Sequence, residues 1–175
     1  MKHKYVIGLD GSGLDELATG IEEYAKWIVD RANTLLQKLA DYGLTIANAG
    51  FDSAVYDGTN DFSVDFEERG NNIKAIVAVG ATVLFVEFGT GVTYPDNHPE
   101  AAKHGMVRGG YGKGKGKSPT WGYYGDPGSN GYIHINERGE SVVLTHGNPA
   151  NMPMYNAVKQ IEEDFKELAL GVFSD

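Results

Sequence analysis

Residues 61–79 read Asp61-Phe62-Ser63-Val64-Asp65-Phe66-Glu67-Glu68-Arg69-Gly70-Asn71-Asn72-Ile73-Lys74-Ala75-Ile76-Val77-Ala78-Val79. Phe62, Val64 and Phe66 alternate with Ser63, Asp65 and Glu67, the period of two that marks a half-buried strand. Gly70, Asn71 and Asn72 supply turn chemistry, and Ile73 to Val79 is rich in β-branched residues, so the stretch predicts an antiparallel hairpin. Apolar residues on both faces of the second segment predict a central position in its sheet. Upstream the period is helical: Leu14, Leu17, Ile21, Tyr24, Ile28, Ala32, Leu35 and Leu39 step by three and four along one face. Ser12 with Asp15 three residues later predicts the N-cap of this helix, Gly20 weakens it by about 1 kcal/mol, and Gly43 predicts its end. Tyr5, Val6 and Ile7 predict a short strand ahead of it. Downstream, Ser141 to Thr145 predicts another strand. Met154, Val158, Ile161, Phe165, Leu168 and Val172 then predict a closing amphipathic helix, with Lys159, Glu162, Glu163 and Lys166 opposite. The expected fold class is α+β: a small antiparallel sheet packed by a long N-terminal helix and a C-terminal amphipathic helix. At 175 residues the chain can bury one core and not two, so residues 1–175 form a single domain.

Residues 89–131 differ in kind, holding 12 of the 24 glycines and four of the six prolines. Such a stretch cannot propagate a helix or a central strand and is expected to leave the core as a long arm at about 90–131. Between Ala101 and Tyr124 lie Lys103, Arg108, Lys113, Lys115 and Lys117 without an acid, a charge of +5, while the rest of the chain carries −14. A basic arm on an acidic body argues against a surface that wraps nucleic acid as a whole. The absence of Cys removes thiolate nucleophiles and cysteine-ligated metal sites. The longest apolar run, Ala75 to Val86, is too short to span a membrane. No signal-peptide pattern opens the chain, and the expectation is a soluble protein made inside a cell.

Candidate chemistry is thin. Gly112-Lys113-Gly114-Lys115-Gly116-Lys117-Ser118 resembles a phosphate loop, but Tyr111 stands where its first glycine belongs and Pro119 where a helix should begin. Gly11-Ser12-Gly13 lacks the third glycine of a dinucleotide fingerprint, since Glu16 occupies that place. The histidines at 3, 98, 104, 134 and 146 lack the helical pairing of zinc proteases and are expected to be solvated. Asp52, Asp57, Asp61 and Asp65 lack the glycine and glutamate of a calcium loop. Glu87 beside an apolar run is either a perturbed catalytic acid or, more commonly, a paired structural carboxylate. Tyr111, Trp121, Tyr123, Tyr124 and Tyr132, interleaved with lysines, either stack bases or sugars or pin the arm to the body or a partner. No catalytic residue, cofactor or metal site is expected.

Taken in order, Gly8-Leu9-Asp10 or Gly13-Leu14-Asp15-Glu16-Leu17, a long helix, Tyr56-Asp57-Gly58, paired strands, Val86-Glu87-Phe88-Gly89-Thr90-Gly91 and Gly147-Asn148-Pro149-Ala150-Asn151-Met152-Pro153-Met154 before a final helix form a recognisable pattern. It resembles the tail-completion or head-tail joining family of long-tailed bacteriophages and prophages. The resemblance covers nearly the whole chain, and its most specific parts are the Glu-Phe-Gly-Thr segment and the proline-methionine lead-in to the last helix. It implies a structural virion protein without enzymatic activity, forming a ring of six subunits at the neck or head-proximal tail end. Its partners would be copies of itself, other neck and tail-tube proteins, and phage DNA touched without sequence preference, but no membrane. Residues expected to face a partner or a neighbouring subunit are Glu87, Phe88, Gly89, Thr90, Lys103, Arg108, Lys113, Lys115, Lys117, Trp121, Tyr123 and Tyr124. Head-to-tail packing would lay each basic arm on the neighbour's acidic surface. Two other classes stand beside this one: a carbohydrate or cell-wall binding module using the arm's aromatics, and a small hydrolase built on Glu87 and a histidine.

Overall fold

The computed structural model describes residues 6, 8, 11–56, 61–70, 72–91, 97–107, 109–110, 118–128 and 131–174. The helical stripe of the N-terminal third forms α1, Gly11–Asp52, a 42-residue helix about 63 Å long at 1.5 Å per residue. Next come β1 (Ser63–Glu68), β2 (Lys74–Val79) and a six-residue helix α2 (Val83–Phe88). The chain continues through a 3-10 turn at Ala102–His104, β3 (Trp121–Tyr123), β4 (Tyr132–Ile135) and β5 (Ser141–Thr145), and ends in α3, Pro153–Phe173. The fold is α+β, with a long N-terminal helix and a C-terminal helix flanking antiparallel strands. There are two small sheets rather than one: β1 pairs with β2, and the second sheet has the order β3-β5-β4.

The hairpin forms as its alternation predicts, in the register Ser63↔Val79 to Glu68↔Lys74. Gly70 and Asn72 both take positive φ at its turn. Lys74 Nζ pairs with Glu68 at 2.7 Å beside that turn. The central position expected for β2 is not observed, because β1 is its only partner among the described residues. The chain turns away at Gly80, whose absent side chain lets it pass against the backbone of Asp61 and Phe62. Ala75, Ile76, Val77 and Ala78 of β2 are half-buried instead, and Val79 is exposed.

Two expectations about α1 are corrected. Helix geometry already holds at Gly11, so Ser12 lies within the first turn and is not the N-cap; Asp10, itself a capping type, precedes the helix and lies outside the described residues. Nor does Gly43 end the helix, which runs nine residues further to Asp52. A Cβ at Gly43 would come within 2.5 Å of both Ile161 Cδ1 and Ile76 Cδ1. The glycine therefore serves close packing of α1 against α3 and β2. Gly50 does the same one end further on, where a Cβ would stand 2.8 Å from Pro153 Cβ. These contacts, with Trp27 edge-on to Phe173, set α3 antiparallel along the C-terminal half of α1. The expected strand at Tyr5–Ile7 falls outside the described residues at Tyr5 and Ile7.

The core between these elements is thin. Among the described residues the buried hydrophobic side chains are Ala40, Ala47, Phe51, Val86, Ala101, Val143, Ala150, Ala157 and Val172, and only Phe51 is large. Its ring stacks on Phe62 at 5.0 Å, joining α1 to the hairpin. The stripe of the final helix is only partly covered: Val158 and Phe165 stand exposed, Phe165 at 47%. The Gly-rich segment also departs from a simple excursion, since β3 returns to pair with β5 and Ala101 and His98 are buried.

Two predictions follow from this packing. Phe51→Ala should lower unfolding stability by about 3–5 kcal/mol, as for other fully buried aromatics, whereas Phe165→Ala should cost about 1 kcal/mol because half its surface is already in water; urea midpoints measure both. The second concerns the half-buried clasp between α1 and α3, where Tyr42 Oη donates to Asp164 Oδ2 and Gln160 Nε2 donates to the same oxygen at 2.9 Å. The Tyr42 bond, then the Gln160 bond, hold the Asp164 carboxyl below its ordinary pKa. The same bond, aided by burial and by the charge of Asp164, pushes the Tyr42 hydroxyl above its own. The Asp164 contribution is full above the ordinary carboxylate range and is lost as pH falls through the lowered value. That of Tyr42 is full below the ordinary phenol range and is lost as pH rises through the raised value. Melting temperatures across pH should therefore show Tyr42→Phe equally destabilised through the neutral range, with the gap to wild type closing at both the acid and alkaline ends.

Candidate functional site

The segments singled out as most specific, Val86–Gly91 and Gly147–Met154, meet at one junction. The backbone of the first faces the second: Asn151 N–H donates to Val86 O at 2.9 Å, Met152 N–H to Glu87 O at 3.3 Å, and Thr90 N–H to Asn148 O at 2.8 Å. Asn148 N–H donates back to Thr90 Oγ1 at 3.0 Å. Gly89 sits between them with φ 79°, where a Cβ would stand 2.7 Å from Ala150 N. Both the left-handed backbone and the close approach require glycine there. Asn151 also clasps the chain leaving α1, accepting from Val55 N–H at 2.9 Å and donating to Val55 O at 3.1 Å.

At the centre of the junction lies Glu87, 6% exposed. Helix α3 begins without a capping side chain of its own: its N-cap is Met152, in the left-handed region at φ 57° and ψ 40°, and Pro153 at the first position has no N–H. The next two donors are Met154 N–H, which meets Glu87 Oε2 at 2.8 Å, and Tyr155 N–H, which meets Oε1 at 2.9 Å. A carboxylate from α2 thus caps α3 across the fold, satisfying free N–H groups and placing a negative charge at the positive end of the helix dipole. Hydrogen bonds to ionised acceptors are about twice as strong as neutral ones.

A third bond comes from His98, 5% exposed, whose Nε2 lies 3.0 Å from Glu87 Oε1. Its Nδ1 accepts from Glu100 N–H at 3.1 Å, which places the ring proton on Nε2, pointing at Glu87. The ring is held between Phe88, centroids 4.4 Å apart, and Tyr155 at 5.1 Å. His98 is therefore not the solvated loop histidine expected from its position. Burial of a carboxylate demands donors, and the fold supplies this one from the root of the arm, eleven residues on. The chain offers no local signal for the pairing; the only clue is that an acid embedded in an apolar run needs a partner.

The remaining expected partner-facing residues scatter. Phe88 is half-buried against His98 and His104, and Glu87 and Gly89 are buried within the chain. Lys103 is exposed and paired with Glu100 at 3.1 Å. Trp121 is half-buried, its ring so close to Gly91 that a Cβ there would stand 2.9 Å from Cη2. Tyr123 donates to Asp126 O at 2.8 Å. Tyr124, 72% exposed, donates to Glu140 Oε2 at 3.2 Å. Arg108, Lys113, Lys115 and Lys117 lie outside the described residues, as does the lysine-glycine run at 112–117. Among the described residues no group of three or more His, Asp or Glu could hold a metal ion, and no helix is long and apolar enough to cross a membrane.

Comparison of the chain with protein-family models, with curated proteins and with solved structures finds no match.

Chemically, this arrangement binds segments together rather than presenting a reactive group: the Glu87 carboxylate faces three donors inside the fold. Glu87→Gln retains the shape but turns an amide N–H₂ towards one of those donors, so stability should fall by about 2–3 kcal/mol. Chemical denaturation of wild type and variant measures it, and an unchanged midpoint would show that the carboxylate does not cap α3.

Proposed function

We propose that this chain is a structural subunit of a phage or prophage virion, closing into a six-membered ring at the neck or head-proximal end of the tail, where it completes the tail and allows joining to the head. The family pattern in the sequence supports the setting. The observation that carries the assembly reading is the distribution of apolar surface. Among the described residues five of the nine buried hydrophobic ones are alanines, while Leu14, Ile21, Ile28, Val29, Ile133, Ile135, Phe165 and Leu170 all stand in the open. A chain that leaves its large apolar side chains outside and its small ones inside is built to gain burial by association.

The reading includes no catalysis. Glu87, the buried carboxylate that lies beside His98, is closed off from substrate and committed to the α3 amides. The aromatic residues of the arm favour anchoring over sugar stacking, since Trp121 packs on Gly91. The +5 charge of residues 101–124 against an otherwise acidic chain suits contact with a neighbour's surface or with DNA in a lumen. Electron microscopy of the purified protein should show closed six-membered rings, and assays of nucleotide, peptide and glycan hydrolysis should be blank. A protein that stays monomeric at tens of micromolar, or turnover that disappears with Glu87→Gln, would overturn this reading.

A further inference from the structure

Each of the two sheets ends on backbone groups that face outward, and the turns fix which residues carry them. Asn136 N–H donates to Glu140 O at 3.0 Å. Alternation along the ladder therefore turns the N–H and C=O of Tyr132 and His134 towards β5, and those of Ile133 and Ile135 away from the sheet. In the hairpin, Arg69 N–H donates to Ile73 O at 2.9 Å. The same alternation turns the groups of Val64, Phe66 and Glu68 outward from β1, and those of Lys74, Ile76 and Ala78 outward from β2. The remaining edge, β3, is three residues long and turns only Gly122 outward.

These edges are not treated alike. An outward row of N–H and C=O groups is a template for another strand, and proteins blunt it with charge, proline or short length. On β1, Asp65 Oδ1 accepts the outward N–H of Phe66 at 2.8 Å, and Glu67 and Glu68 add charge. On β3 there is too little strand to extend a ladder. By contrast β4 reads Tyr-Ile-His-Ile, with no Lys, Asp, Glu or Pro, and all of it is exposed, Ile133 at 61%. On β2 the one charge is Lys74 at its first position, drawn in against Glu68, and Ala75 to Val79 are apolar. Among the described residues, no hydrogen bond outside the ladders reaches Ile133, Ile135, Ile76 or Ala78.

We propose that β4 of one copy of this chain adds antiparallel to β2 of the next, joining the two-stranded sheet of one to the three-stranded sheet of the other. The occupant is a second copy because the chain leaves one unguarded edge on each sheet, and the two differ. Each copy then gives one edge and receives the other, the head-to-tail contact that closes a ring. The inference rests on the ring reading and assigns the edges that carry it. Setting Ile133 opposite Ala78 and Ile135 opposite Ile76 matches every outward donor of these pairs with an outward acceptor. The same register lays Tyr132, 50% exposed, beside Val79, 62% exposed, and an aromatic beside a β-branched residue is a favourable cross-strand pair. Pairing β4 with another β4 matches less well. Its outward groups meet only when His134 faces His134 and Tyr132 faces Asn136, whose side chain is committed to its own turn; both β2 edges then stay open.

The chain has no cysteine, so cross-linking can read the register directly. Tyr132→Cys and Val79→Cys, both at exposed positions, are made singly in the full chain, one of them carrying a size tag. Opposed residues of a non-hydrogen-bonded pair have Cα atoms about 4.5 Å apart, within reach of a disulfide. Mild oxidation with copper phenanthroline should join an equimolar mixture of the two variants into a mixed dimer and leave each variant alone reduced. The double variant should give a covalent ladder that ends at the closed ring. Separately, Ile135→Pro removes an outward N–H and spares the ladder to β5; sedimentation velocity should show association about tenfold weaker, with circular dichroism melting as the check on folding. Should that variant not fold, the cross-links alone decide. A mixture that stays reduced overturns the proposal and leaves a ring built on other surfaces standing, as does unchanged association of a folded Ile135→Pro. Disulfide dimers of Tyr132→Cys by itself overturn it in favour of β4 pairing with β4. A ladder that closes at another number supports the edge pairing and removes the six-membered ring. A monomeric wild type overturns both.

Discussion

A single carboxylate holds this fold together at the point where its parts converge. Glu87 accepts from the first two free amides of α3 and from His98. It thereby ties the short helix α2, the start of the last helix and the root of the Gly-rich segment into one unit. Without it, α3 would begin at a proline preceded by a methionine in the left-handed region, with amides facing no acceptor of their own. The backbone ladder of residues 86–90 against 148–152 depends on the same alignment, and Gly89 is required because any Cβ would push that ladder apart. The second sheet joins the body through β5, whose end runs directly into this ladder.

Around that junction the packing is economical. Glycines let α1 and α3 approach closely, since a Cβ at Gly43 would meet Ile161 and one at Gly50 would meet Pro153. Close approach replaces volume, which leaves few large residues inside and many outside. A thin core and many exposed large apolar side chains are two aspects of one arrangement among the described residues: what close helix approach saves in buried volume is left on the surface.

The period-two alternation of residues 62–67 and the three-four stepping of both helices were legible because backbone geometry repeats on those periods whatever surrounds it. Hairpin, helix type and the strand at 141–145 follow from that alone. Gly43 misleads as a stop signal, because a glycine at a helix end and a glycine at a helix crossing look identical until Ile76 and Ile161 are seen on either side. His98 misleads for the same reason: its role is set by an acid eleven residues away and by a helix that starts only at Pro153.

By itself, then, the sequence determined the α+β class, the positions of the main elements and the separation of a basic Gly-rich segment from an acidic body, because composition and periodicity are local properties. Only the tertiary structure decided that α1 runs unbroken to Asp52, that the strands divide into two sheets, and that Glu87 caps α3 with help from His98. It likewise decided that Leu14, Ile21 and Ile28 stand exposed while Ala40 and Ala47 of the same helix are buried. Each of these depends on which surfaces meet, and a stripe of apolar residues carries no mark of where its cover ends.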